Sequence, residues 1–113
     1  MQLEDIYTFF ETRSPIFLNP EVTVCYILHT LLQNDVHGTE LIQHLEQHHP
    51  SLRVSDVVLY LALKFLEREE LIVRYVEPME EQNQPRQMFR LVPEACTRAQ
   101  DLAQLWERFV TYR

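Results

Sequence analysis

The chain has 113 residues, 46% hydrophobic and 24% charged, a globular composition that excludes wholesale disorder and is enough for one hydrophobic core. It contains no apolar run near the roughly 18 residues of a membrane span, and its acidic start, MQLEDIYTFFETR, lacks the basic region of a secretory signal. The net charge of −7 speaks against nucleic acid only until its distribution is read.

Leu3, Ile6, Tyr7 and Phe10 recur at helical spacing and predict a short amphipathic helix to about Thr12. The prolines of SPIFLNP end it. Asn19-Pro20-Glu21 then supplies an N-cap type, a proline at the first helical position and an acid at the positive end of the helix dipole. Val24, Leu28, Leu31 and Leu32 give that helix one apolar face, ending near Asn34. After the turn NDVH, Leu41, Ile42 and Leu45 mark a third helix, stopped at His48-His49-Pro50 because the residue before proline leaves the helical region. Gly38 is the chain's single glycine, and its expected role is to make room where these two helices meet.

Ser55 is the next N-cap, with Asp56 in the first turn. The expected buried face of this helix, which runs to about Glu70, is Val57, Val58, Leu61, Phe65 and Leu66. Asp56, Tyr60, Lys64 and Glu67 are expected on another face. IVRYVE and RQMFRLV then read as two strands joined by PMEEQNQP, which is too long for a tight two-residue turn. Pro93-Glu94 opens a last helix, in which Ala95, Ala99, Leu102, Trp106 and Phe109 repeat at alternating spacings of four and three. The expected fold class is mainly α with a small β-hairpin. The expected organisation is one domain: an N-terminal helix over 1–14, a core over 20–92 and a C-terminal helix over 93–113.

Charge is unevenly placed along this order. Residues 1–52 hold one basic residue, Arg13, against seven acids, whereas residues 53–90 hold six basic against seven acidic residues. Nine of the ten basic groups are arginine, the side chain suited to bidentate contact with phosphate and guanine.

Three segments carry a family resemblance. HGTEL stands beside His-Gly-Tyr-Glu-Leu, VSDVVLYLALKFLEREELI beside a Ser-Pro-Gly-Thr-Leu-Tyr-Pro-Ala-Leu-Arg-Arg-Leu-Glu run, and RQMFRLVPEA beside Arg-Lys-Tyr-Tyr-Arg-Leu-Thr-Glu-Ala. In this order and at these distances, over roughly residues 22–110, the chain resembles the PadR family of bacterial transcription regulators. The resemblance implies a winged helix-turn-helix with added N- and C-terminal helices. It further implies a homodimeric, sequence-specific repressor that binds double-stranded DNA at an inverted repeat. A whole-chain likeness to a clock-associated cyanobacterial protein implies that the target is a circadian clock gene, on likeness alone. This sequence departs from the family pattern at Asp56-Val57-Val58, at Leu61 and at Glu70, where the family has Pro-Gly-Thr, proline and glycine.

Under that reading the DNA-binding candidates are Ser55, Tyr60 and Lys64 on the third helix of the winged core, and Arg53 just before it. Arg74, Gln84, Arg86, Gln87 and Arg90 on the wing complete the set. Arg86 and Arg90 are expected to flank Met88 on one strand face. Tyr60 can equally be core. The alternative for the hairpin is a solvated one, with Glu77, Glu80 and Glu81 neutralising it. Contact of Arg86 and Arg90 with DNA phosphate is favoured, because the chain's cations are scarce and gather here. Asp56 reads as a helix-terminus residue, because a carboxylate beside phosphates is repulsive unless it accepts from a cytosine amine. The helix is apolar for a reader, which favours shape and backbone contacts. Leu3, Ile6, Phe10, Leu102, Leu105, Trp106 and Phe109 are the expected dimer interface.

His44 and His48, one turn apart with Glu40 one turn before, read as a solvated face rather than a metal site, and no cofactor is expected. There is no nucleophile elbow, P-loop or dinucleotide motif, so an enzyme is not expected. Cys25 and Cys96 are isolated and read as reduced thiols, in keeping with a cytoplasmic, nucleoid-associated bacterial protein. Two alternatives stay open: a protein-interaction module built on the same fold, and a sensor governed by a metal or effector.

Overall fold

A computed structural model describes residues 1–11, 15–78 and 85–111, with only the backbone described for residues 8–11. The order is α1 (Leu3–Glu11), β1 (Ile16–Phe17), α2 (Pro20–Leu31), β2 (Val36–His37), α3 (Gly38–His48), β3 (Leu52–Arg53), α4 (Asp56–Arg68), β4 (Ile72–Glu77), β5 (Arg86–Leu91), a 3-10 turn (Pro93–Ala95) and α5 (Cys96–Thr111). This is the mainly helical winged helix-turn-helix expected from the sequence, with a helix added at each end.

The two expected N-caps form. Asn19 accepts from the Val22 amide at 2.8 Å and Ser55 from the Val58 amide at 3.1 Å, each satisfying an amide that has no partner inside its helix. Helix α2 differs from the expected single face: Cys25, Tyr26, Ile27, Leu28 and Leu31 are buried, and so are Thr23 and Thr30. The helix is central, with α3, α4 and α5 around it. Its buried threonines donate back to the Asn19 and Tyr26 carbonyls at 2.7 and 3.1 Å, so neither hydroxyl is left unpaired. Tyr26 donates to the Leu41 carbonyl at 2.5 Å and ties α2 to α3.

Helix α4 also turns differently from the expectation. Its buried residues are Leu59, Ala62, Leu63 and Leu66, while Val57, Leu61 and Phe65 are exposed. Seven of the residues from Val57 to Leu66 are aliphatic and an eighth is phenylalanine, so the pattern offers more than one apolar face and periodicity alone cannot choose. The helix ends on Glu70 at φ 63°, with the Leu71 amide donating to the Leu66 carbonyl at 3.0 Å. A left-handed residue closed by that bond is the Schellman stop, which usually uses glycine. Glu70 occupies the very position where the family's glycine is missing.

The wing is three-stranded, in the order β2-β5-β4, rather than a lone hairpin. The stretch read as a plain turn contributes β2, which pairs antiparallel with β5 as Val36↔Phe89 and His37↔Met88. A second small sheet pairs β1 with β3 in parallel. Two-residue strands have no period to detect, so tertiary pairing alone defines them. The β4–β5 register runs from Ile72↔Leu91 to Glu77↔Arg86, and residues 79–84 of the expected connection lie outside the described residues.

Gly38 does not have the expected role. Its φ is not positive, and a Cβ there would meet a Phe89 ring carbon at 3.7 Å, an ordinary contact with the wing rather than with α2.

Helix α5 packs along α2 through Ala99, Ala103 and Trp106, all buried. The Trp106 ring lies 5.0 Å from Tyr26, 5.5 Å from His49 and 5.9 Å from Phe109. At the other end, Leu3, Ile6 and Tyr7 of α1 are exposed.

Candidate nucleic-acid interface

Arg53, the first candidate, is held by its own loop. Its guanidinium donates to the Pro50 and Leu52 carbonyls at 2.7 and 2.8 Å and stands 3.6 Å from Glu46. Ser55 is occupied as the cap of α4. Tyr60 is 59% exposed, so it is not a core residue, and the Lys64 ammonium lies 5.5 Å from its ring centroid.

The wing arginines are each engaged with a carboxylate. Arg74 pairs with Glu67 at 2.7 Å, and its guanidinium lies 5.4 Å from the Phe89 ring. Arg86 pairs with Glu40, which carries that α3 carboxylate to the wing. Arg90 donates from Nε to Asp35 at 3.0 Å and stacks 4.5 Å over Tyr75. Asp35 also accepts from the Tyr75 hydroxyl at 2.8 Å. The bond to Asp35 pushes the Tyr75 phenol and the Arg90 guanidinium above their ordinary values. Gln87 is exposed, with its carbonyl 3.0 Å from His37 Nδ1 and its side chain 3.4 Å from Arg74. Met88 is buried between the two arginines of its strand. Gln84, Glu80 and Glu81 lie outside the described residues. Neutralisation of the wing is thus real, and the acids that achieve it come from the body: Asp35 before β2, Glu40 on α3 and Glu67 on α4.

The outward face of α4 has a different character. At about 100° per residue, Val57, Leu61, Lys64 and Arg68 fall within an arc of roughly 60°. Val57 is 68% and Leu61 52% exposed. Arg68 is exposed and Lys64 half-buried, and among the described residues neither has a carboxylate partner. Asp56 and Tyr60 flank this arc on the wing side, where both line a groove with Arg74 and Gln87. Val57, Leu61 and Arg68 were not among the sequence candidates. The available signal was the spacing of Leu61, Lys64 and Arg68 at three and four, which places them on one face.

Of the expected dimer residues, Leu3, Ile6 and Leu105 are exposed and Leu102 and Phe109 half-buried. The Phe10 side chain lies outside the described residues. Trp106 is a correction: at 3% exposure it belongs to the chain's own core, because Tyr26 and His49 already cover it.

His44 and His48 stack at 4.0 Å. Burial first, then His48, His29 and His49, hold the His44 imidazole below its ordinary value. Among the described residues no group of three or more His, Cys, Asp or Glu is placed to hold a metal. Cys25 and Cys96 are free, and no described helix is long and apolar enough to cross a membrane.

The arrangement of three helices and a wing matches known proteins. Residues 27–95 match the transcriptional regulator PadR-like family. The whole chain is 49% identical to the circadian clock associated protein Pex from Anabaena, covering 98% of that chain with a TM-score of 0.87. It is 51% identical to Pex from Synechococcus over 97% of this chain and 98% of that one, with a TM-score of 0.88. A PadR family transcription regulator from Clostridium difficile is 23% identical over 80% of this chain and 91% of that one, with a TM-score of 0.62, and this likeness shows the fold alone. No match is found among curated protein sequences. By the family match over most of its length and by near-complete coverage of relatives at about half identity, the chain belongs to the PadR-like family of transcriptional regulators.

Proposed function

We propose that the chain is a dimeric repressor that inserts α4 into the major groove of an inverted-repeat operator. Its likeness to Pex supports a target among circadian clock genes. The observation that carries the DNA reading is the open face of α4, where Lys64 and Arg68 have no carboxylate partner among the described residues and stand beside exposed Val57 and Leu61. A major groove about 12 Å wide admits such a helix, and unpaired cations can displace the counterions of phosphates. The wing would lie along the adjacent backbone, with Arg74, Arg86 and Arg90 exchanging their carboxylates for phosphates on contact.

The dimer reading is supported by exposed apolar side chains at both ends of the chain, Leu3, Ile6 and Tyr7 on α1 and Leu105 on α5. In this division the arm at 1–14 and the helix at 93–113 join two copies, and 20–92 holds the reading surface. Two-fold symmetry sets the half-sites about 34 Å apart. Ile6→Ser with Leu105→Ser should give a folded monomer by light scattering, with much weaker operator affinity.

The test is enrichment from a random duplex library, followed by fluorescence anisotropy at two salt concentrations. An enriched palindrome whose affinity falls steeply with salt supports the reading. The engaged arginines favour a second reading, a protein-binding module that presents its acidic first half. In that case nothing is enriched and salt has no effect.

A further inference from the structure

The exposed half-turns of α4 raise a chemical question. A reading helix usually presents polar side chains to base edges, yet the outermost N-terminal positions here are Val57 and Leu61, with Tyr60 beside them. Neither aliphatic residue is required outside by the fold, since Leu59, Ala62, Leu63 and Leu66 already fill the core side. The wing cations are held by Asp35, Glu40 and Glu67, and Arg53 by its own loop, so polar base readout has few free donors. In the major groove the apolar feature that distinguishes one base pair from another is the C5-methyl of thymine.

Resting on the DNA reading above, we propose that Val57 and Leu61 read thymine by packing on its C5-methyl group, while Lys64 and Arg68 hold the neighbouring phosphates. The four residues share one arc of the helix, apolar toward its N-terminal end and cationic toward its C-terminal end, which matches a base edge next to a backbone. Val57 and Leu61 are one turn apart, about 6 Å along the axis. At about 3.4 Å per base step, their two methyl groups lie about two steps apart in each half-site. The inference concerns side chains in which this chain departs from its family: Val57 and Leu61 stand where the family has glycine and proline.

Deoxyuridine removes the methyl and leaves every hydrogen-bonding group of thymine in place. Each thymine of the enriched half-site is replaced in turn and affinity is measured for the wild-type chain, Val57→Ala and Leu61→Ala. Burial of one methyl-sized group corresponds to about a fourfold change in affinity. The wild-type chain should lose about that factor at two thymines roughly two steps apart. Val57→Ala should become indifferent to one of them and Leu61→Ala to the other. Val57→Thr, close in shape, should retain part of the discrimination, and thermal melts identify any variant that is misfolded. Specific binding with no thymine sensitive beyond twofold overturns the inference and leaves the DNA reading intact. Sensitivity that persists unchanged in both alanine variants overturns it in the same way. Failure to enrich any duplex overturns the functional reading and this inference with it.

Discussion

The wing and the outward face of α4 carry similar residues on paper and very different chemistry in the fold. Arg74, Arg86 and Arg90 of the wing each meet a carboxylate from the body. Lys64 and Arg68 of α4 meet none among the described residues. The first set fixes the wing against α3 and α4. The second is open to an external anion. A cation's number in the sequence is therefore a poor guide to its availability, because an acid distant in sequence can occupy it: Asp35 and Arg90 are 55 residues apart.

The largest test of this contrast uses one residue type on the two faces of α4. Leu66→Ala should cost about 2–5 kcal/mol of stability through the cavity it leaves, whereas Leu61→Ala should stay within about 0.5 kcal/mol. Urea unfolding measures both, and equal losses would mean that the two faces are misassigned. Next comes the salt dependence of DNA binding. Lys64→Ala with Arg68→Ala should lower the log–log slope by about 1.8, at about 0.9 per phosphate contact. Arg86→Ala with Arg90→Ala should lower it by about half that or less, since these arginines must first leave Glu40 and Asp35. If the wing pair has the larger effect, the order of the two regions is reversed.

Releasing a wing arginine should work in the other direction. Asp35→Asn removes the acceptor shared by Arg90 and Tyr75 and should raise the slope by up to about 0.9. An unchanged slope would show that Arg90 makes no phosphate contact even when freed. At the end of α4, Glu70→Gly should stabilise the chain by about 1 kcal/mol, because glycine adopts the left-handed angle without the penalty of a Cβ. A loss of melting temperature would point to a function for the Glu70 side chain that outweighs its backbone.

The smallest expected effect is in pH. His44 is held below its ordinary value of 6.5 by burial and by His48, His29 and His49. As pH falls, the unfolded chain takes up the proton first, so the stability from neutral His44 is intact above that value. It is lost as pH drops through the lower folded-state value. Urea midpoints should fall as pH drops below the ordinary value of His44, because its folded-state value is lowered, and His44→Gln should flatten part of that fall.

Local signals were legible wherever the physics is local. The caps at Asn19 and Ser55 need only a side-chain oxygen and the amide three residues on, and both form as expected. The hairpin follows from a β-branched and aromatic run, IVRYVE, and a second run, RQMFRLV, set apart by a polar, proline-flanked stretch, and its register spans six residue pairs. The reading failed where two answers satisfied the same pattern. Helix α4 is apolar on two faces, and the face that turns inward is the one that α2 and the wing cover. Trp106 fits either a subunit seam or a core until Tyr26 is seen beneath it. Gly38 invited a close-packing role that its surroundings do not require.

By itself the sequence determined the order of the helices and the hairpin, the starts of α2 and α4, and the family, because each rests on neighbours within a few residues or on motifs in fixed order. Tertiary structure alone decided which face of α4 is open, that β2 joins the wing, and which cations are neutralised. Those outcomes depend on contacts between distant segments, where burial and ion pairing are set by what the fold brings alongside.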